Sequence, residues 1–194
     1  MNWMKKVAVA LVCLLPLGLQ AAKVDTLQVK SPSMNKSIEV VVVSPDVAAT
    51  KACPVIYLLH GYGGNARTWV GIKPDLSKIA DEKGIFFVCP DGKNTWYWDS
   101  PLNADVRYET FISDELVKYV DSHYKTVADR KGRAITGLSM GGHGAMWNGL
   151  RHSDVFSAAG STSGGVDIRP FPKNWEMSVQ IGEKAKYPEN WEKY

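Results

Sequence analysis

Ser139 stands in "ITGLSMGGHGAM" (Ile135 to Met146), with Gly137 two residues before it and Gly141 two residues after. A serine in this setting can act as a nucleophile. The apolar run before it predicts a buried strand, and Met140 to Arg151 predicts a helix. A strand that turns sharply into a helix forces the serine into a strained backbone conformation and lifts its hydroxyl above the sheet. The residues two positions away must then be small, or their Cβ atoms would collide with strand and helix. Gly137 and Gly141 meet that need, and Gly142 adds room. The turn also aims the N–H of Met140 and the start of the helix at the space over the hydroxyl, where both favour a negative oxygen. The chemistry this suits is attack on a carbonyl carbon, with charge developing on the carbonyl oxygen. A glycine-rich bend with a bystander serine would read the same way, so the surrounding elements must decide.

An oxyanion needs a second donor, from the loop after another central strand. "LLHGYGGN" supplies one: His60 and Gly61 end an apolar run, and small residues let a backbone N–H come close to substrate. "CPVIYLLHG", "IFFVCPDG" and "RAITGLS" are continuous apolar runs, the pattern of strands buried on both faces of a parallel sheet. "IKPDLSKIADEKG" and "YETFISDELVKYVDSHY" carry apolar residues at helical spacing between them. The expected fold is therefore α/β, a mostly parallel sheet with helices on both faces. "KSIEVVVVS" and "TLQVKS" precede the first helix, so they should pair as an antiparallel N-terminal edge. "FSAAGSTSGG" predicts a fourth parallel strand. The stretch from Val166 to Tyr194 breaks the rhythm with three prolines and two tryptophans, and predicts an excursion over the sheet near the site.

Residues 1–22 read as a secretory signal peptide. Lys5 and Lys6 precede the apolar run Val7 to Leu19, which is short for a bilayer span, and Ala21 and Ala22 suit a cleavage site. Residues 23–194 are expected to form one domain. Two of the 23 Lys and Arg lie in the leader, leaving 21 against 20 Asp and Glu. That balance gives no electrostatic case for nucleic acid, and leader cleavage would leave no stable membrane anchor. Cys53 and Cys89 remain, too few for a disulfide scaffold. No spacing of His, Cys or Asp suggests a metal, and no phosphate loop suggests a nucleotide; the expectation is no cofactor.

"YLLHGYGGNARTW", "FVCPDG", "WYWDSP", "YETFISDELVKYVDSHY" and "GLSMGGHGAM" occur in this order, and from about Asp25 to Tyr194 the chain resembles the esterase branch of the α/β-hydrolases. That branch includes S-formylglutathione hydrolases, tributyrin, feruloyl and acetylxylan esterases, and mycolyltransferases. The resemblance implies Ser139 as nucleophile and an oxyanion hole from the amides of Tyr62 and Met140, with Gly63 a weaker candidate than Tyr62. "NTWYWDSP" places Trp96, Trp98 and Asp99 at a strand end. The aromatics there either pack a core or cap, or form a wall for an acyl or sugar group.

A serine esterase also needs a histidine base and a carboxylate to orient it. In α/β-hydrolases these follow the serine, acid first. Only His143 and His152 follow Ser139. His143 lies one helical turn on and points away from the hydroxyl; His152 ends the same helix. His60 precedes the serine in the oxyanion loop, and His123 ends a flanking helix. Asp154 and Asp167 follow no late strand. The expected acid and histidine are therefore absent from this chain, which reads as an esterase domain incomplete at its C-terminus. Three functional readings follow. The first is a secreted or periplasmic serine carboxylesterase acting on short-chain acyl or carbohydrate esters, of the acetyl or feruloyl type. An acyltransferase would use every residue named above. A non-catalytic glycan-binding module, or an inactive fragment, would keep the fold without the chemistry.

Overall fold

The computed structural model describes residues 22–194. Residues 1–21, and with them nearly all of the expected leader, lie outside the described part. Two nine-residue strands, β1 (Lys23–Ser31) and β2 (Lys36–Ser44), pair antiparallel across a turn whose Asn35 is left-handed at φ 48°. β3 (Val55–Leu59) follows, then the short helix α1 (Thr68–Ile72) and α2 (Leu76–Lys83). Gly84 closes α2 in the left-handed conformation at φ 62°. After β4 (Phe86–Pro90) a long loop leads to α3 (Tyr108–Thr110). That helix runs through a π turn (Phe111–Glu115) into α4 (Leu116–His123). β5 (Arg133–Gly137) and α5 (Met140–Arg151) flank Ser139. A two-residue β6 (Ala158–Ala159) precedes α6 (Met177–Ile181) and α7 (Pro188–Lys193).

The sheet order is β1-β2-β4-β3-β5-β6. β1–β2 and β2–β4 are antiparallel, and the remaining pairs are parallel. The α/β class and the antiparallel N-terminal edge are both present. Period-two alternation divides the strands between two cores. Val40 and Val42, Tyr57 and Leu59, and Phe86 and Val88 face one; Val41 and Val43, Leu58, and Phe87 and Cys89 face the other. Helix α2 covers the second core through Leu76 and Ala80, while α4 and α5 cover the first through Leu116, Val120 and Ala145. That double burial is why the central strands show no polar alternation.

β6 is shorter than expected. Only Ala158 and Ala159 pair with β5, and both are exposed. Its small side chains bury little, although Ala159 lies against Gly149 of α5. It continues as an isolated bridge at Leu138 and Thr162, which places its backbone beside Ser139.

The same topology keeps the cysteines apart. Val55 pairs with Phe86, so Cys53 lies two residues before that rung and Cys89 three residues after it. Five residues of strand span about 16 Å, and bridging needs Cα atoms within about 7 Å. The two thiols also face opposite cores, and both are free and buried. Burial pushes the Cys89 thiol up to about 12. Non-reducing peptide mapping should therefore find two free thiols, with Cys89 alkylated only after denaturation. A Cys53–Cys89 cross-linked peptide would refute the parallel pairing.

Candidate active site

Because β3, β4 and β5 are parallel, the loops after them leave one edge of the sheet together. Leu59 pairs with Gly137, which brings His60 and Gly61 alongside Leu138 and Ser139. Ser139 is the residue before α5, with φ 51° and ψ −119°. A non-glycine residue held there is strained by about 1–3 kcal/mol.

The surrounding glycines make the turn possible. A Cβ on Gly137 would stand 2.4 Å from the backbone of Gly141, and one on Gly141 only 2.2 Å from the Leu59 carbonyl oxygen. On Gly142 it would stand 2.7 Å from Ser161 Oγ. Helical Gly→Ala ordinarily stabilises by about 1 kcal/mol. Gly141→Ala should reverse that sign, because rigid backbone lies in the way. We expect a loss of about 3 kcal/mol, at the upper end of overpacking costs, read as a fall in the urea midpoint. An unchanged midpoint would mean that α5 does not sit this close to β3.

Around the exposed Ser139 the backbone donors fall into two groups. Ser139 N–H donates to Thr162 O at 2.8 Å, Leu138 N–H to Leu59 O at 3.3 Å, and Gly63 N–H to Asn94 Oδ1 at 2.9 Å. The N–H groups of Tyr62 and Met140 have no acceptor among the described residues. The two donors named from the sequence are thus left unengaged, and the weaker candidate, Gly63, is occupied. Tyr62 and Met140 both line the same cleft as Ser139.

Ser139 opens into a cleft of about 250 Å³, walled by Tyr62, Trp96, Ile168, Phe171, Trp175 and Met177. A larger apolar hollow of about 410 Å³ lies on the outer face of α5 and does not include Ser139. The excursion after Val166 therefore supplies one wall of the cleft. Trp96 is held by its Nε1–H, which donates to Trp175 O at 3.1 Å, and by stacking on Trp98 with centroids 5.5 Å apart. Trp96 and Tyr97 are left-handed at φ 60°, as are Ser163, Trp175 and Glu176 at φ 48° to 53°. Such residues gather where a site over-determines its backbone.

Trp98 and Asp99 are placed away from the cleft. Trp98 is fully buried and donates to His143 Nε2 at 2.9 Å. The Asp99 carboxylate accepts from Thr110 N–H and Oγ1, anchoring the start of α3. Their side chains turn inward because the left-handed pair before them reverses the chain. Phe171 and Ile168 carry no motif of their own; the sequence marks only the Val166–Tyr194 excursion that holds them.

All four histidines have partners other than Ser139. His143 is buried, with Nδ1 bonded to Gly165 O at 2.6 Å and Nε2 accepting from Trp98. Burial lowers its pKa, partly opposed by the Gly165 carbonyl. His60 bonds Gly61 O through Nδ1 at 2.7 Å and accepts Gly92 N–H at Nε2. His152 Nε2 meets Glu109 Oε1 at 2.9 Å. His123 is exposed and bonded to Tyr119 O. Among the carboxylates after Ser139, Asp167 pairs with Arg169 and Asp154 is exposed. Asp91, buried at the end of β4, would be raised by burial; its contacts with His60 and its hydrogen bonds from Lys93 outweigh that and hold it at about 2.

Residues 31–194 match the family described as "Putative esterase". An esterase of Mycobacterium tuberculosis, Rv1288, is 31% identical over 149 residues, which are 73% of this chain and 32% of that protein. A xylanase/feruloyl esterase of Xylanibacter ruminicola is 34% identical over 123 residues, 58% of this chain and 17% of that protein. Among solved structures, a ferulic acid esterase superposes with a TM-score of 0.70 at 30% identity, over 88% of this chain and 69% of that one. The chain spans about a third of the length of the mycobacterial esterases and of an acetyl esterase of Caldicellulosiruptor saccharolyticus that it also matches.

Proposed function

The chain belongs to this esterase family of the α/β-hydrolases, and from that we propose that it is the nucleophile-bearing part of a serine carboxylesterase. Ser139 Oγ attacks the ester carbonyl carbon, the alcohol leaves, and water resolves the acyl-enzyme. Tyr62 and Met140 N–H receive the carbonyl oxygen as it becomes negative. The observation that carries this reading is the pair of unengaged N–H groups beside a serine held at φ 51°. Neither a strained serine nor an orphaned donor pair benefits a fold that only packs.

The substrate we propose is an ester of a short or planar acyl group, with a carbohydrate or other small alcohol. Aromatic walls from Trp96, Phe171 and Trp175 favour the acyl part. Export through the N-terminal leader, to the periplasm or outside the cell, is part of the same proposal. So is the place of the base and acid: with every histidine engaged elsewhere, we place both outside this chain.

Those engaged histidines also favour a second reading, a glycan-binding module that keeps the fold without turnover. Labelling with a fluorophosphonate separates the two, because it reports serine nucleophilicity directly. Slow labelling at Ser139 supports the esterase. A folded chain with no adduct at Ser139 after prolonged exposure would leave the binding module. Hydrolase and acyltransferase would then be separated by the product formed when an acceptor alcohol is supplied.

A further inference from the structure

Gly61 to Gly64 form a tight turn closed by Gly64 N–H donating to Gly61 O at 3.0 Å. Gly63 is its third residue, with φ 74°, and a Cβ there would meet nothing within 4 Å. The glycine thus serves backbone conformation rather than space. These are the marks of a type II turn. Type I, its alternative, differs by rotation of the central peptide, here Tyr62–Gly63, and glycine tolerates both forms. Something outside the turn must choose between them.

We propose that Asn94 makes that choice and is the positioning residue of the oxyanion loop. The proposal rests on the esterase reading of the same site. Asn94 Oδ1 accepts Gly63 N–H at 2.9 Å, which fixes the direction of the central peptide. In the flipped form the Tyr62 carbonyl oxygen would face Asn94 Oδ1, acceptor against acceptor. Asn94 is itself braced from the segment that walls the cleft: its Nδ2 lies 3.4 Å from Glu176 Oε2, and its carbonyl receives Gln180 Nε2 at 3.5 Å. Glu176 also reaches the turn. Burial, and after it the nearby Glu176 carboxylate, raise the Tyr62 phenol's pKa. The loop carrying one oxyanion donor is therefore tied through Asn94 to the wall that receives the acyl group. A flip rotates the Tyr62–Gly63 peptide and leaves the Gly61–Tyr62 peptide in place; Tyr62 N–H is misaimed because the loop that carries it, once untied from Asn94, shifts as a whole.

Two measurements on the described chain test this. In amide hydrogen exchange, Asn94→Ala should speed exchange at Gly63 by about tenfold or more, while Asn94→Asp, which keeps an acceptor, should leave it protected. In fluorophosphonate labelling the Ser139 Oγ–P bond forms, fluoride leaves and the hydroxyl proton passes to solvent. Outright loss of an oxyanion donor costs about 10² to 10³ in rate. Asn94→Ala, which misaims one donor, should slow labelling about tenfold with the unfolding midpoint little changed. Equal Gly63 exchange in wild type and Asn94→Ala overturns the proposal. So does an unchanged labelling rate once Gly63 is released. A wild-type chain that takes no label at all defeats the esterase reading instead, and the exchange comparison still decides what Asn94 does to the turn.

Discussion

Ser139→Ala in the active protein should lower turnover of p-nitrophenyl acetate by about 10⁴-fold or more, to near the uncatalysed rate. The hydroxyl is the group at the elbow that can form the acyl bond. What remains, two N–H donors and an apolar cleft, binds an ester without attacking it. Alanine is small enough for the same bend, so circular dichroism should be unchanged. A companion variant separates strain from chemistry. At φ 51° and ψ −119° a serine is strained, and Ser139→Gly relieves that at some cost in chain entropy. Ser139→Gly should thus be as inactive as Ser139→Ala and more heat-stable than it. Turnover near the wild-type rate in Ser139→Ala would remove Ser139 from the mechanism. A glycine variant no more stable than the alanine one would mean that the elbow is not strained as the dihedrals imply.

The elbow was legible because its requirements are local. Small residues at 137, 141 and 142 are needed within a few positions of Ser139, and each proves to face backbone or Ser161 at under 3 Å. The central strands were legible because burial on both faces leaves an unbroken apolar run. What the sequence did not show depends on contacts between distant segments. Trp98 and Asp99 are separated from the cleft by a turn at Trp96 and Tyr97, and no residue-type pattern foretells two successive aromatic residues at φ 60°. The π turn at Phe111–Glu115 adds a residue inside an otherwise regular helical period. Asn94 opens "NTWYWDSP" but nothing in that stretch marks its role, which lies in a hydrogen bond to Gly63 across 31 positions. β6 fell short of its expected length for a similar reason. Small residues can pair as a strand but bury little surface, and Ala158 and Ala159 stay exposed even though Ala159 lies against Gly149 of α5.

Residues 23–194 alone should hydrolyse esters some 10⁴- to 10⁶-fold more slowly than a chain that also carries the base, the range lost when one member of a catalytic triad is removed. The cause is geometric. Nδ1 and Nε2 of His143 are both engaged, by Gly165 and Trp98. His60 is engaged by Gly61 and Gly92. His152 is held at Glu109 beside Trp147 and Arg151, at the far end of α5. Without a base the Ser139 proton has nowhere to go at neutral pH, whatever the two N–H donors do for the oxyanion. A base supplied from solution should therefore restore part of the rate. Imidazole, largely neutral above its pKa of about 6.5–7, should accelerate hydrolysis in proportion to its concentration with Ser139 present. With Ser139→Ala only the background reaction of imidazole with the ester should remain. Extension by about 80–100 residues after Tyr194, a span set by ordinary domain size, should raise the rate without imidazole and abolish the response to it. Full activity in residues 23–194 with no response to imidazole would mean that a base is already in place. His143 would then have to leave Trp98 and Gly165 to reach Ser139, and the buried aromatic stack around it would have to open.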